Sequence, residues 1–348
     1  MQEKENKYDH AIDLLRIISI LAVVLIHTTT RTLEATKFDL ERVPWTLFLN
    51  QISRFAVPLF FMLSGFVLEL NYPFHASYFT YLKKRIARIF VRYVFWSAIY
   101  YFFVYEQHTE GFIQTLIHGD ASYQMYFIPS LLLFYLIFPL VHKFYSILLN
   151  RWILIILGIL QIHLLYDDYF IKPVLTFYPL RICFLSYFIF LLGVIASHHK
   201  QRLISFVTKW KTALILLMIS SGGYIFYEGF SLFLKTKNYL YFYSQWRVSI
   251  LIYSILVASL LYVFFQKPLK GYQTLKEISK LTFFVFFIHV IILEKVWGKI
   301  ALPFFAITKT HIAEQFWYDP SFFLIVIALS YCFAYAGHKT PWLAKITG

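Results

Sequence analysis

The sequence predicts an all-α, polytopic integral membrane protein with about ten transmembrane helices and both termini in the cytoplasm. Three observations carry that prediction. Of 348 residues, 59% are hydrophobic and only 14% charged, with mean hydropathy +0.63, which excludes an ordinary soluble globule. Apolar windows long enough to cross hydrocarbon recur along the whole chain. Lysine and arginine favour alternate connections between those windows: with the N-terminus inside, internal segments hold eighteen of them and external segments nine.

The first window, 11–30, is AIDLLRIISILAVVLIHTTT. Asp13 and Arg16 interrupt its core, and TTTRTLEATKF offers no small-residue cleavage site, so it reads as a retained span and not as a signal peptide. The second, 45–70, contains VPLFFMLSGFVL, where Ser64 followed by Gly65 suits a close helix contact better than a nucleophile. The third, 87–105, follows a basic loop, YLKKRIARIFVRY at 81–93, that belongs at an inner membrane face. Windows at 125–148, 152–166, 180–197, 212–230, 246–265, 281–298 and 320–337 complete the set, the one at 152–166 being short. No Gly/Ser-rich or Pro-rich linker divides the chain, so residues 1–348 read as a single integral-membrane domain.

The formal charge of +14 lies in short loops and forms no continuous stripe, which argues against nucleic acid as a partner. The 39 Phe and 27 Tyr fit helix packing and interfacial belts. Cys183 and Cys332 both fall in apolar stretches without a C-x-x-C partner, so neither a disulfide nor a metal site is expected.

Ionisable groups inside a span are costly and point to function. Asp13, Arg16 and His27 share the first span. On a helix Arg16 and His27 lie about 16 Å apart along the axis and within about 20° of one face. Asp13, three residues before Arg16, is spaced to pair with it. An imidazole titrates near neutrality and suits taking a proton from an attacking hydroxyl, so His27 reads as a general base. His289, in KLTFFVFFIHVIIL, is either a second functional group or a helix-packing histidine. Arg85, Arg88 and Arg92 recur at i, i+3 and i+7 beside Lys84, a face sized for phosphate, and a nucleotide such as coenzyme A or an anionic lipid headgroup would fit it. Arg54, Arg181 and Arg247 lie towards the outer side, where topology does not call for positive charge, and are candidates for binding an anionic acceptor. There is no G-x-S-x-G elbow, H-E-x-x-H motif, phosphate-binding Gly loop or Rossmann fingerprint.

These pieces resemble membrane acyltransferase family 3, whose hallmark on the first span is R-x10-H, here Arg16 and His27 after Asp13. VPLFFMLSGFVL at 57–68, KKRIARIFVRY at 83–93, FIPSLLLFYLIFPL at 127–140 and ISKLTFFVFFIH at 278–289 follow in the family's order. The segment His27–Thr30 and the VPLFFMLSG run resemble the branch that O-acetylates bacterial surface polysaccharides such as the enterobacterial common antigen. The resemblance implies a multi-pass protein of the bacterial plasma membrane with no permanently bound cofactor. It implies transfer of acetyl from acetyl-CoA to a hydroxyl of a lipid-linked or surface saccharide, with Arg16 and His27 as the catalytic pair. It also implies coenzyme A contacts at Lys84, Arg85, Arg88 and Arg92. Departures are Ile17 for a glycine, Gln124, Met125 and Tyr126 for His-Leu-Trp, and Phe286 for a tyrosine. The family includes polysaccharide exporters, so a glycan flippase and a transmembrane acetyl carrier stand as alternatives.

Overall fold

The computed structural model describes residues 9–37, 39–40, 42–72, 78–105, 110–236, 240–301, 312–340 and 343. Among them there are helices and no strands. In chain order these are α1 His10–Ala35, α2 Pro44–Ile52, α3 Ala56–Leu70, α4 Tyr78–Ile99 with a wider π turn Tyr100–Val104, α5 Phe112–His118, α6 Phe127–Lys143, α7 Tyr145–Leu148 and α8 Arg151–Phe170. They continue with α9 Tyr178–His198, α10 Lys200–Lys209, α11 Lys211–Thr236, α12 Leu240–Tyr243, α13 Val248–Phe264, α14 Tyr272–Val296 with a π turn Trp297–Ala301, and α15 Ile312–Lys339. Nine segments of the described residues are long and apolar enough to cross a membrane, and α6 adds a shorter apolar helix of 17 residues. Each expected window is met by one of these ten. The protein is a multi-pass membrane protein.

Three elements differ from the sequence reading. The window 45–70 is two helices, α2 and α3, broken at Ser53–Phe55. Proline at 58 has no N–H for the Arg54 carbonyl, and its ring crowds that same carbonyl, which favours the break found there. The Ser53 hydroxyl adds to the break by donating to the Leu49 carbonyl at 2.8 Å. The basic stretch at 81–93 is not a loop but part of α4. The short fifth window is a full 20-residue helix, because its polar end is kept helical by partners described below.

Packing divides the chain into two compact units. One spans Phe61–Gln201; the other comprises Asp9–Phe60 and the chain from Arg202 onward. In the first, α6 packs on α4 and α9, and α8 on α9. Its core is aromatic: Phe134 stacks on Phe190 at 4.3 Å and tilts against Phe61 at 5.4 Å. Gly65 on α3 meets the Phe190 carbonyl of α9, and Gly193 on α9 meets the Met62 carbonyl of α3, so the two backbones touch where neither carries a side chain. In the second, α1 packs on α2, α13, α14 and α15, while α11 packs on α2 and α13. The outward faces of α8 and α11 carry exposed Ile155, Ile156, Ile159, Leu216, Leu217 and Ile219, as lipid-facing helices do. Cys183 and Cys332 are both free.

Candidate functional site

The N-terminal end of α1 is held by three polar residues. Asp9 caps the helix by accepting from the Ala11 N–H at 3.2 Å, and it also accepts from the Tyr262 hydroxyl at 2.8 Å. His10 donates Nε2–H to the Gln266 carbonyl at 2.8 Å. The buried Asp13 carboxylate accepts from the Tyr272 hydroxyl at 2.7 Å and the Ser279 hydroxyl at 2.9 Å, both on α14. The expected pair of Asp13 with Arg16 is present but long, 3.6 Å, and the Arg16 side chain is 38% exposed. Asp13 is therefore a fixed anion anchored to α14, and the Arg16 fork has capacity left for another anion.

Eleven residues on, His27 stacks on His289 of α14, with ring centroids 5.4 Å apart and planes at 29°. The structure thus joins the two intramembrane histidines singled out in the sequence. The hydroxyls after His27 are not free nucleophiles: Thr28 and Thr29 donate back to the Val24 and Leu25 carbonyls at 3.1 and 2.6 Å. Asn50 of α2 donates its amide to Thr29 and Thr30 at 3.0 and 3.1 Å, and its carbonyl accepts from two N–H groups of Arg54 at 3.1 and 2.6 Å. Gln51 extends the chain, donating to Asn50 at 3.3 Å and accepting from Arg247 at 2.5 Å. Arg247 is fully buried and also reaches Glu228 of α11 at 3.3 Å. Arg54 and Arg247, far apart in sequence, thus converge on adjacent residues of α2 in a network that begins one turn from His27.

One end of a long apolar helix therefore offers an open cationic fork and the other a paired imidazole, a layout suited to an extended ligand with an anionic end and a reacting centre. A family profile described as Acyltransferase domain matches residues 9–338. The chain belongs to this acyltransferase family. It is similar to two proteins named probable poly-beta-1,6-N-acetyl-D-glucosamine export protein. That of Staphylococcus aureus (strain MSSA476) is 24% identical over 82% of both chains, and that of Staphylococcus epidermidis 25% identical over 85% of this chain and 83% of its own. No solved structure matches.

Other candidate residues of this acyltransferase-family chain lie in the first unit. Arg85, Arg88 and Arg92 share a face of α4, with Arg88 exposed and the other two partly so; the Lys84 side chain lies outside the described residues. Arg181 makes a two-pronged pair with Asp168 at 2.6 and 2.7 Å, which ties the start of α9 to the end of α8 and explains why α8 stays helical through its polar end. Any acceptor role for Arg181 requires that pair to open. Replacing Arg181 with Ala leaves Asp168, only 6% exposed at its side chain, without its cation, and is expected to cost up to about 3 kcal/mol in thermal unfolding of the purified protein.

The sequence reading missed several polar groups. Glu69 accepts from His142 and His198 at 2.8 and 2.6 Å, closing the ends of α3, α6 and α9 together. Asp319 of α15 accepts from Thr32 at 3.1 Å and Thr46 at 2.5 Å. Glu110, His118 and Asp120 form the one group among the described residues able to hold a metal ion. Burial of Asp120 raises its carboxyl above the usual range. Glu69, Glu228 and Asp319 are acidic residues in apolar runs, so the rule that found the arginines would have found them too.

Proposed function

We propose that this protein is an integral-membrane O-acyltransferase that moves acetyl from acetyl-CoA to a hydroxyl of a cell-envelope saccharide. What supports this most is α1 itself. Its Asp13 is clamped to α14, its Arg16 keeps donors available beside that anion, and its His27 stands about 16 Å further along the same helix. His27 takes the proton of the acceptor hydroxyl; the oxygen attacks the acetyl carbonyl; the C–S bond breaks and the thiolate leaves and is protonated. Arg16 binds an anionic part of the donor, and a stretched pantetheine arm bridges the distance to His27. Arg85, Arg88 and Arg92 of α4 are candidates for bidentate contact with the coenzyme's phosphates. Arg54, Arg247 and His289 are candidates for the acceptor side; Arg181, in the other unit, is a separate candidate that requires its pair with Asp168 to open.

The names of the staphylococcal relatives suggest poly-β-1,6-linked N-acetylglucosamine as the acceptor class, and they also carry the second reading, export of such a glycan. The test is transfer of labelled acetyl from acetyl-CoA to envelope glycan in membrane vesicles containing the protein. Label in the glycan supports the transferase; no label, with glycan movement across the vesicle membrane that depends on the protein, supports the exporter. A donor-bound structure with the thioester far from His27 would overturn the bridging geometry.

Tyr272→Phe removes the 2.7 Å donor that holds Asp13, and Ser279→Ala the one at 2.9 Å. Each is expected to raise KM for acetyl-CoA by about 2- to 10-fold with a smaller change in kcat, since one hydrogen bond is lost and its effect falls on Arg16. Saturation curves in the same vesicle assay check this.

A further inference from the structure

The ring nitrogens of His289 are not equivalent. Nδ1 lies 3.0 Å from the Val285 carbonyl one turn back. A carbonyl oxygen can only accept, so Nδ1 carries the hydrogen, and in the neutral ring Nε2 is left with its lone pair. That lone pair has no hydrogen-bond partner among the described residues, although His289 is 0% exposed. A buried acceptor left empty opposes folding, and a protein free to choose would place an aromatic hydrocarbon there, as it does at the neighbouring Phe283, Phe286 and Phe287. The ring instead stacks on His27 at 5.4 Å.

We infer that Nε2 of His289 is the seat of the acceptor's hydroxyl hydrogen, so that the site selects a neutral, hydrogen-donating nucleophile over an anionic one. This rests on the acyltransferase reading and gives His289 a specific part on the acceptor side of the reaction. His289 holds the hydroxyl by accepting its hydrogen bond in the ground state; the O–H then turns from Nε2 of His289 to His27, which removes that one proton as the oxygen attacks. Stacked imidazoles cannot both carry charge without repulsion, so His289 stays neutral as His27 becomes imidazolium. A carboxylate or phosphate acceptor has no hydrogen to offer this lone pair and would face it lone pair to lone pair.

Two variants in the labelled-acetyl vesicle assay, read beside the thermal midpoint of the purified protein, test this. His289→Phe keeps a ring and removes the orphaned acceptor. It is expected to hold or raise the thermal midpoint while lowering transfer at least about tenfold, the weight of one hydrogen bond in a barrier. His289→Gln, which restores a polar acceptor, is expected to recover part of the lost transfer. Unchanged transfer in His289→Phe overturns the inference, because Nε2 then meets only water. A lowered midpoint with transfer falling in proportion to folded protein overturns it in favour of a packing role. Absence of transfer in the wild type overturns the acyltransferase reading itself, and that outcome is distinct from either.

Discussion

His27→Gln is expected to lower acetyl transfer by roughly 100- to 10,000-fold at equal protein level, the contribution of a positioned general base. The chemistry leaves little to replace it. Thr28 and Thr29 donate to backbone carbonyls and cannot accept a proton at working pH, and His289 has one nitrogen committed to Val285. The variant should fold, since His27 is only partly buried. Thermal midpoints within a few degrees of wild type would therefore accompany the loss. Arg16→Ala at the other end of α1 should act on a different constant, raising KM for the donor, because the role proposed for it is to bind charge rather than to move a proton. A His27→Gln protein that keeps more than about a tenth of wild-type transfer would remove His27 from the chemistry.

Gly193→Leu is expected to have the largest effect on folding. A Cβ on residue 193 would strike the Met62 carbonyl oxygen, with the Met62 carbonyl carbon at 2.8 Å and its Cα at 3.1 Å. These are backbone atoms, which no rotamer change can move aside, so α3 and α9 would have to separate. The Phe61–Phe134–Phe190 contacts beneath them would open as a result. A destabilisation of about 3 kcal/mol or more follows, at the upper end of overpacking costs. It would be read as a fall in the yield of monodisperse protein after detergent extraction. Gly223→Ala on α11 is the control: nothing lies within 4 Å of its added Cβ, and a helix interior prefers alanine by about 1 kcal/mol. Gly65 should behave as Gly193 does, since its Cβ meets the Phe190 carbonyl from the other side.

Local patterns carried much of this protein. A span is a property of a continuous stretch of side chains in hydrocarbon, so all ten expected windows correspond to helices, and the close contact expected at Ser64–Gly65 is found. Errors in those windows were also local. The break of the second window reflects Pro58 acting on Arg54 four residues back, a rule that the apolar run concealed. The polar end of α8 looked like the end of a span because the cation that pairs with Asp168 is Arg181, thirteen residues later.

By itself the sequence determined the class, the position of each apolar helix and the layout of α1, because hydrophobic length and the 3.6-residue period act over one to two dozen neighbouring residues. Tertiary structure alone decided which polar groups meet. Asp13 finds Tyr272 and Ser279, His27 finds His289, and Arg54 and Arg247 find Asn50 and Gln51. The physical reason is that a polar atom cut off from water by hydrocarbon must take its partner from another helix. The spacing along one helix is blind to which helix that will be.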